Sequence, residues 1–242
     1  MEVEELERIV NGNGRSRSEM VGLSLPVLLK KVYVWMAMAL VISAITAYGV
    51  ATTPAIMTAL IQSPGIMFGL AIAELALVIG INAGINKLSI STATLLFILF
   101  AAVNGATLST IFLVYNVGSI VKVFLITAGT FGAMAVYGST TKTDLSKMGG
   151  ILMMALIGLI IATVVNIFVK SQGFDLIISY IGVLLFVGLT AYDTQRIKRW
   201  LEMGTYDGET GQKVALLGAM SLYLDFINLF LYLLRIFGNN RD

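Results

Sequence analysis

The chain has 242 residues, of which 57% are hydrophobic and 12% are charged, and its mean hydropathy is +0.89. About a quarter of the residues in a soluble domain are charged, so this composition predicts a polytopic membrane protein and excludes an ordinary soluble enzyme. The chain has no cysteine and no histidine, which excludes disulfides, the usual zinc sites and serine–histidine catalysis. A net charge of +2 gives no sign of a nucleic-acid partner.

The predicted elements begin with a polar N-terminal stretch, residues 1–25, which lacks the apolar core and cleavage site of a signal peptide. We predict that it is a cytosolic tail with a short helix at 3–10. Residues 26–238 are predicted to form one transmembrane domain, because seven segments are long enough to cross a hydrocarbon core of about 30 Å. They lie near 28–50, 66–86, 92–115, 119–138, 149–169, 175–196 and 214–237. A short external C-terminus follows at 239–242.

The three prolines all lie outside these predicted segments, so we expect no span to be kinked by proline. They are Pro26, Pro54 and Pro64.

The distribution of lysine and arginine predicts the orientation, because loops that stay in the cytoplasm are enriched in these residues. Most of the 16 basic residues fall on one side of the predicted spans. The other side holds Lys122, Lys170, Arg235 and Arg241. We therefore expect a multi-pass protein of the inner membrane with its N-terminus in the cytoplasm and its C-terminus outside. The longest loop, near 197–213, would be cytosolic.

The last predicted span contains an aspartate, Asp225, inside the apolar run SLYLDFINLFLYLLR at 221–235. An ionised carboxylate at the centre of a bilayer costs at least about 2.5 kcal/mol. The polar or small residues of this span recur every three or four positions, so they share one stripe of a helix that should face the protein interior. The stripe consists of Gly218, Ser221, Asp225, Asn228, Tyr232 and Arg235. For Ser221, Asn228 and Tyr232 a packing seam with satisfied hydrogen bonds is the simpler interpretation, whereas packing alone gives no reason to bury Asp225.

The sixth predicted span ends in a basic cluster, Arg196, Lys198 and Arg199, and Asp193 lies about one helical turn before it. Two interpretations are open: an ion pair with Arg196 or Arg199 at the membrane boundary, or a pair with Asp225 that shares one proton because two like charges cannot both ionise cheaply. The second interpretation requires the seventh helix to begin outside the hydrocarbon, up to about Gly218, or the sixth helix to tilt.

Glu74 lies in the second predicted span among small residues that allow close helix contact. Two interpretations are open for it as well: a carboxylate with Lys87 or Arg235 as its counter-ion, or a protonated acid bonded to a neighbouring helix. Carboxylate and amide oxygens suit hard cations such as calcium. No lysine follows Lys213, which excludes a retinal Schiff base in the last helix, and no loop pairs a nucleophile with a base, so we do not expect an enzyme.

Three sequence motifs carry a family resemblance. AYDTQRIK at Ala191 to Lys198 and SLYLDFINLFLYLLRIFG at Ser221 to Gly238, on the last two predicted spans, closely resemble the transmembrane Bax inhibitor motif family in its bacterial branch. YGSTTKTDLSKMGG at Tyr137 to Gly150 is also similar to that family, as is Glu74 in the second span. The resemblance covers about residues 27–238.

The resemblance implies an all-α fold in which six membrane helices surround a central C-terminal seventh helix. It implies a pH-sensitive calcium leak channel or transporter of the inner membrane, in which Asp193 and Asp225 form a pH-sensing pair between helices six and seven. These two aspartates would also bind calcium transiently, as the permeant ion, and no cofactor is expected. The further candidates for the ion pathway or a latch are Glu74, Lys87, Asn104, Ser221, Asn228 and Arg235.

Two of these candidates differ from many relatives, because Asn104 stands where they have glutamate and Lys87 stands where they have a latching arginine. The lipid bilayer and calcium are the expected partners. The resemblance also implies an alternative function, in which the protein does not transport but interacts with a membrane-anchored ATP-dependent protease and modulates it. A proton-coupled solute transporter is a third hypothesis.

Overall fold

The computed structural model of the chain describes residues 3–203 and 208–239, with side chains from residue 25 onward. Over these ranges the chain is all-helical and has no strand. Its α-helices are α1 (Val3–Ala51), α2 (Pro54–Gln62), α3 (Pro64–Gly84), α4 (Ile90–Leu108), α5 (Ile111–Val114), α6 (Val117–Thr140), α7 (Gly149–Val169), α8 (Gln172–Met203) and α9 (Glu209–Phe237). A 3₁₀ turn, η1 (Leu145–Met148), precedes α7.

Seven stretches are long and apolar enough to cross a membrane, which confirms the predicted number and the all-α fold class. They are Leu25–Ala51, Pro64–Gly84, Ile90–Val114, Val117–Thr140, Leu145–Val169, Gln172–Met203 and Glu209–Phe237. The arrangement of six helices around a central seventh stays a prediction.

The positions of the prolines differ from the prediction. Helix α1 continues from Val3 to Ala51 through Pro26, so the short helix predicted at 3–10 is the start of a much longer one. Pro64 begins the second membrane-length helix, and Pro54 begins α2, a short helix in a region predicted to be a loop. Proline suits the first turn of a helix, where the amide groups have no intrahelical partner. Pro26 and Pro64 therefore lie within membrane-length helices, contrary to the predicted bounds, while the absence of a proline kink stays a prediction.

Helix α9 is the most buried of the seven membrane-length helices. In the most apolar 18-residue stretch of α9, 67% of the residues are buried, whereas in that of α3 only 6% are. It packs against α8, α1, α6 and α4. Aromatic rings fill part of this contact: Phe226 of α9 lies 5.3 Å from Phe124 and 5.4 Å from Phe131, both on α6. Helix α9 is thus largely shielded from lipid, whereas α3 is largely exposed to it.

Both ends of α9 are bonded to other helices. Near its start, the Glu209 carboxylate accepts a hydrogen bond from the backbone N–H of Ile90, the first residue of α4, at 2.8 Å. Beyond its other end, the Asn239 backbone N–H donates to Ser119 Oγ at 2.9 Å, and the Asn239 carbonyl accepts from the Asn116 N–H at 3.3 Å. These bonds fix α9 to α4 at one side of the membrane and to the start of α6 at the other.

Two glycines allow helices to approach closely. A Cβ at Gly105 of α4 would lie 2.5 Å from the carbonyl oxygen of Ser43 on α1, and a Cβ at Gly138 of α6 would overlap the backbone of Ala191 on α8. Small residues at such crossings bring the helix backbones into contact. Polar side chains near the crossings can therefore reach across to the next helix.

Candidate functional site

The candidate site lies between α8 and α9, which pack side by side over most of their length. Ile197 of α8 packs on Gly218 of α9, and Tyr232 of α9 packs on Gly182 of α8, where its ring also stacks on Phe186 at 5.9 Å. As residue numbers fall along α8 they rise along α9, so the two helices are antiparallel.

This register places Asp225 level with Thr190, and Asp193 is about one helical turn nearer to Ile197. The two aspartates that the sequence singled out are therefore at nearly the same depth. Helix α8 has 32 residues and α9 has 29, whereas about 20 residues cross the hydrocarbon, so the hairpin extends beyond the membrane. Helix α9 begins at Glu209, five residues before its predicted start, which accounts for the difference in depth expected from the sequence.

Asp225 is a buried carboxylate with an unused hydrogen-bond acceptor. The residue is 5% exposed, and its Oδ2 atom has no hydrogen-bond partner among the described residues. Asp193 lies about one helical turn from the level of Asp225 on the helix packed against it. A buried polar atom without a partner is uncommon in folded proteins, so Asp225 is a candidate for a role other than packing.

Asp193 stands between Asp225 and the basic end of α8. Its side chain is 14% exposed and lies 3.8 Å from the Arg196 guanidinium, one turn along the same helix. That guanidinium is also 4.1 Å from the centre of the Trp200 ring. Asp193 thus contacts a cation, as in the boundary interpretation, and lies about one turn from the level of Asp225. Arg199, the other cation considered for Asp193, is engaged elsewhere.

Arg199 and Gln195 hold the 143–148 loop, the segment between α6 and α7 that contains η1, against α8. The buried Gln195 side chain donates to the Thr143 carbonyl at 2.8 Å and accepts from the Leu145 N–H at 2.9 Å. Arg199 forms an ion pair with Asp144 at 2.6 Å and also donates to Ser146. Hydrogen bonds from the Ser146 N–H and from Arg199 lower the pKa of Asp144 to about 2. Two of the family-like motifs, at 137–150 and 191–198, therefore contact each other beside the aspartates.

A second polar cluster joins four helices through a chain of hydrogen bonds. Tyr223 Oη of α9 lies 2.6 Å from Ser43 Oγ of α1 and 2.8 Å from the Asn104 side-chain oxygen of α4. The Asn104 amide nitrogen lies 3.2 Å from Glu74 Oε2 of α3, and Thr107 Oγ1 donates to Glu74 Oε1 at 2.6 Å. We call these five residues the Glu74 chain. It connects the most lipid-exposed helix to the most buried one.

Comparison with known proteins decides the family. The sequence model of the family described as "Inhibitor of apoptosis-promoting Bax1" matches residues 25–242. The chain belongs to this Bax inhibitor family. It is 50% identical over 214 residues to the inner membrane protein YbhL of Escherichia coli K12, covering 88% of this chain and 92% of that protein. A Borreliella burgdorferi protein is 46% identical over 214 residues, covering 88% of this chain and 92% of that protein. A Streptococcus pyogenes membrane protein is 42% identical over 181 residues, covering 75% and 78%.

Family membership confirms the resemblance identified from the motifs and, with the seven spans, a multi-pass membrane protein of the Bax inhibitor type. The cytoplasmic placement of the N-terminus stays a prediction.

The remaining candidates of this Bax inhibitor-like chain have separate surroundings. Arg235 pairs with Asp175 at the start of α8, at 3.7 Å, rather than with Glu74. Lys87 is exposed and forms no ion pair within residues 25–203 and 208–239. Asn228 donates to the Leu224 carbonyl of its own helix at 2.8 Å, and Ser221 is half-buried. Of the two interpretations of Glu74, the structure places it in hydrogen bonds with a neighbouring helix and pairs it with neither proposed counter-ion.

Several residues of these clusters were missed by the sequence analysis: Ser43, Thr107, Gln195 and Tyr223. Three of them are hydroxyl residues inside apolar runs, where they are common and carry no charge to draw attention. Gln195 lies within the AYDTQRIK motif and Tyr223 within the SLYLDFINLFLYLLRIFG motif, which were the only signals that could have identified them.

Proposed function

We propose that this Bax inhibitor-like protein is a pH-sensitive calcium leak pathway of the inner membrane, gated by Asp193 and Asp225. The observation that carries the proposal is the buried Asp225 carboxylate, 5% exposed and with Oδ2 unpartnered in the described part of the chain. An ionised carboxylate in such a place is costly unless a proton or a cation compensates its charge. Asp225 is therefore a position where protons and permeant cations compete.

Because Asp193 lies near Asp225, the competition between protons and cations involves both carboxylates. The register of the packed helices α8 and α9 places the two aspartates about one turn apart. A single proton held by the pair removes the repulsion between α8 and α9. Two like charges within about 6 Å, the range over which neighbouring charges affect each other's ionisation, repel by about 3 kcal/mol at an effective dielectric constant of about 20. A free-energy difference of that size shifts a two-state equilibrium by a factor on the order of a hundred.

Calcium is the ion that fits these ligands best, since it prefers carboxylate and carbonyl oxygens. Stable calcium sites use about six to eight oxygens, more than two aspartates supply. The proposed binding is therefore transient, as passage of an ion requires. Arg196, 3.8 Å from Asp193, adds a positive charge that favours release of the cation from the pair.

The proposal is tested by calcium flux in liposomes that contain the purified protein and an internal calcium dye. We expect flux into wild-type liposomes that changes with pH. Asp193→Asn and Asp225→Asn keep the shape of the side chains but remove their charge, so both should abolish the pH dependence. Glu202→Gln, a change at an exposed carboxylate on the same helix as Asp193, is the matched control and should behave as wild type.

Wild-type pH dependence in both asparagine variants would refute the gating role of the pair. Absence of calcium flux from wild-type liposomes would refute the leak itself and would leave the interaction with a membrane protease as the function predicted from the sequence.

A further inference from the structure

When Glu74 is ionised, the Glu74 chain has one proton fewer than it has polar contacts. Five contacts are 3.2 Å or shorter: Ala101 carbonyl to Ser43, Ser43 to Tyr223, Tyr223 to Asn104, Asn104 to Glu74, and Glu74 to Thr107. Each contact joins two electronegative atoms and is favourable only when one proton lies between them. The distribution of protons along the chain therefore follows from the charge of Glu74.

With Glu74 ionised, the carboxylate accepts from Thr107 and from the Asn104 amide. The Asn104 oxygen then faces Tyr223 and accepts its hydroxyl proton. Ser43 has a single proton for two contacts, at 2.7 Å to the Ala101 carbonyl and at 2.6 Å to Tyr223. One pair of oxygens at hydrogen-bond distance is left without a proton.

With Glu74 protonated, every contact receives one proton. A half-turn of the Asn104 amide exchanges its donor and acceptor groups without changing its shape. Glu74 then donates to the Asn104 oxygen, and the Asn104 amide donates to Tyr223. Tyr223 in turn donates to Ser43, and Ser43 donates to the Ala101 carbonyl. Thr107 donates to the second Glu74 oxygen as before, so all five contacts are hydrogen bonds.

The helices packed against α3 supply no counter-charge to Glu74. Helices α2 and α4, the main neighbours of α3, contain no Asp, Glu, Lys or Arg. The titratable group that the chain reaches on α9 is Tyr223. Glu74 is half-buried, and Arg235, a candidate counter-ion, pairs with Asp175 instead. Within the described residues Glu74 forms no ion pair that would offset an ionised carboxylate.

We propose that Glu74 is a proton-binding site separate from the aspartate pair, and that its proton sets the direction of the hydrogen-bond chain to Tyr223. The protonated form has Tyr223 as a donor to Ser43, and the ionised form has Tyr223 as a donor to Asn104. Proton uptake by Glu74 on lipid-exposed α3 thereby changes the hydrogen-bond partner of Tyr223 on buried α9, two residues from Asp225. The inference does not depend on calcium passage.

Infrared difference spectroscopy of the full-length protein in lipid nanodiscs, recorded between acidic and alkaline pH, tests this inference. We expect a protonated-carboxyl C=O band that is lost in Glu74→Gln and kept in Asp225→Asn. We also expect a tyrosine C–O band in the same difference spectrum, since the hydroxyl changes partner. That band should be lost in Tyr223→Phe, in Glu74→Gln and in Asn104→Leu, whereas Asn104→Leu should keep the carboxyl band because it only interrupts the chain.

Glu74→Gln should fold, because glutamine donates to Asn104 and accepts from Thr107 as the protonated acid does. Thr107→Val gives an independent answer, because it removes one hydroxyl donor and should move the Glu74 C=O band to higher frequency. Absence of any Glu74 carboxyl band, or an unchanged tyrosine band in Glu74→Gln, would overturn the inference. Either result, with calcium flux still dependent on Asp225, would leave the leak proposal intact.

Discussion

Replacing Gly105 with alanine tests the crossing of α1 and α4 that supports the Glu74 chain. The added Cβ would lie 2.5 Å from the Ser43 carbonyl oxygen and 2.9 Å from both Ser43 Cα and Thr46 Cβ, whereas ordinary contacts begin near 3.4 Å. Two of these atoms belong to the backbone of α1 and cannot rotate away. The helices must therefore separate by roughly 0.5–1 Å, a displacement typical of an overpacked core.

The expected loss of stability has two parts. Overpacking of this kind costs about 1–3 kcal/mol. Separation of the helices also stretches the 2.7 Å hydrogen bond from Ser43 to the Ala101 carbonyl, which is worth about 0.5–1.5 kcal/mol. The better helix propensity of alanine offsets at most about 1 kcal/mol. We expect a net loss of about 1–3 kcal/mol in the free energy of unfolding.

Reversible unfolding by sodium dodecyl sulfate in mixed micelles, followed by tryptophan fluorescence, measures this loss. The matched control is Gly132→Ala on α6, where an added Cβ meets no atom within 4 Å. It should leave the free energy of unfolding unchanged or raise it by up to about 1 kcal/mol. Equal stabilities of the two variants would refute the close contact at Gly105.

Two further predictions concern the 143–148 loop. Gln195→Leu removes the hydrogen bonds to the Thr143 carbonyl and the Leu145 N–H, and each group left unpaired costs about 1–3 kcal/mol. The Leu145 amide should therefore exchange with deuterium much faster than in the wild type. Unchanged exchange would contradict its hydrogen bond to Gln195. The pKa of Asp144 is lowered in the folded protein to about 2 from 3.8, so its stabilising effect is complete above about pH 4 and is lost as the pH falls through about 2. Ser146 amide exchange should rise over that interval, and Arg199→Gln should move the rise to higher pH.

The membrane-length helices were predictable because lipid is the solvent: a segment that exposes its backbone polar groups or charges to hydrocarbon is excluded, so hydropathy alone marks the spans. The continuation of α1 through Pro26 was not predictable, because proline removes a helical hydrogen bond and usually marks the end of a helix. Here the polar residues that precede Pro26 continue the helix, which hydropathy does not report.

The candidate site was predictable to the extent that charge in a membrane is costly. Asp225 was singled out by that cost, and Asp193 by its position beside the basic end of the same hairpin. The Glu74 chain was not predictable beyond Glu74 and Asn104. Its bond between Ser43 and Tyr223 joins residues 180 positions apart, and neither hydroxyl departs from what membrane helices commonly contain. The proposed counter-ion Arg235 pairs with Asp175 instead, because the start of α8 lies on the same side of the membrane as the end of α9.

The bonds at the two ends of α9, to Ile90 at its start and to Ser119 beyond its end, limit how the helix can move. A rod held at both ends cannot slide like a piston, because sliding in either direction breaks one attachment. It can still bow, and bowing displaces Asp225, near the middle of the helix, more than the ends. A charge at mid-helix thus lies where the helix bends most easily, and a force on that charge would move the helix sideways rather than along its axis.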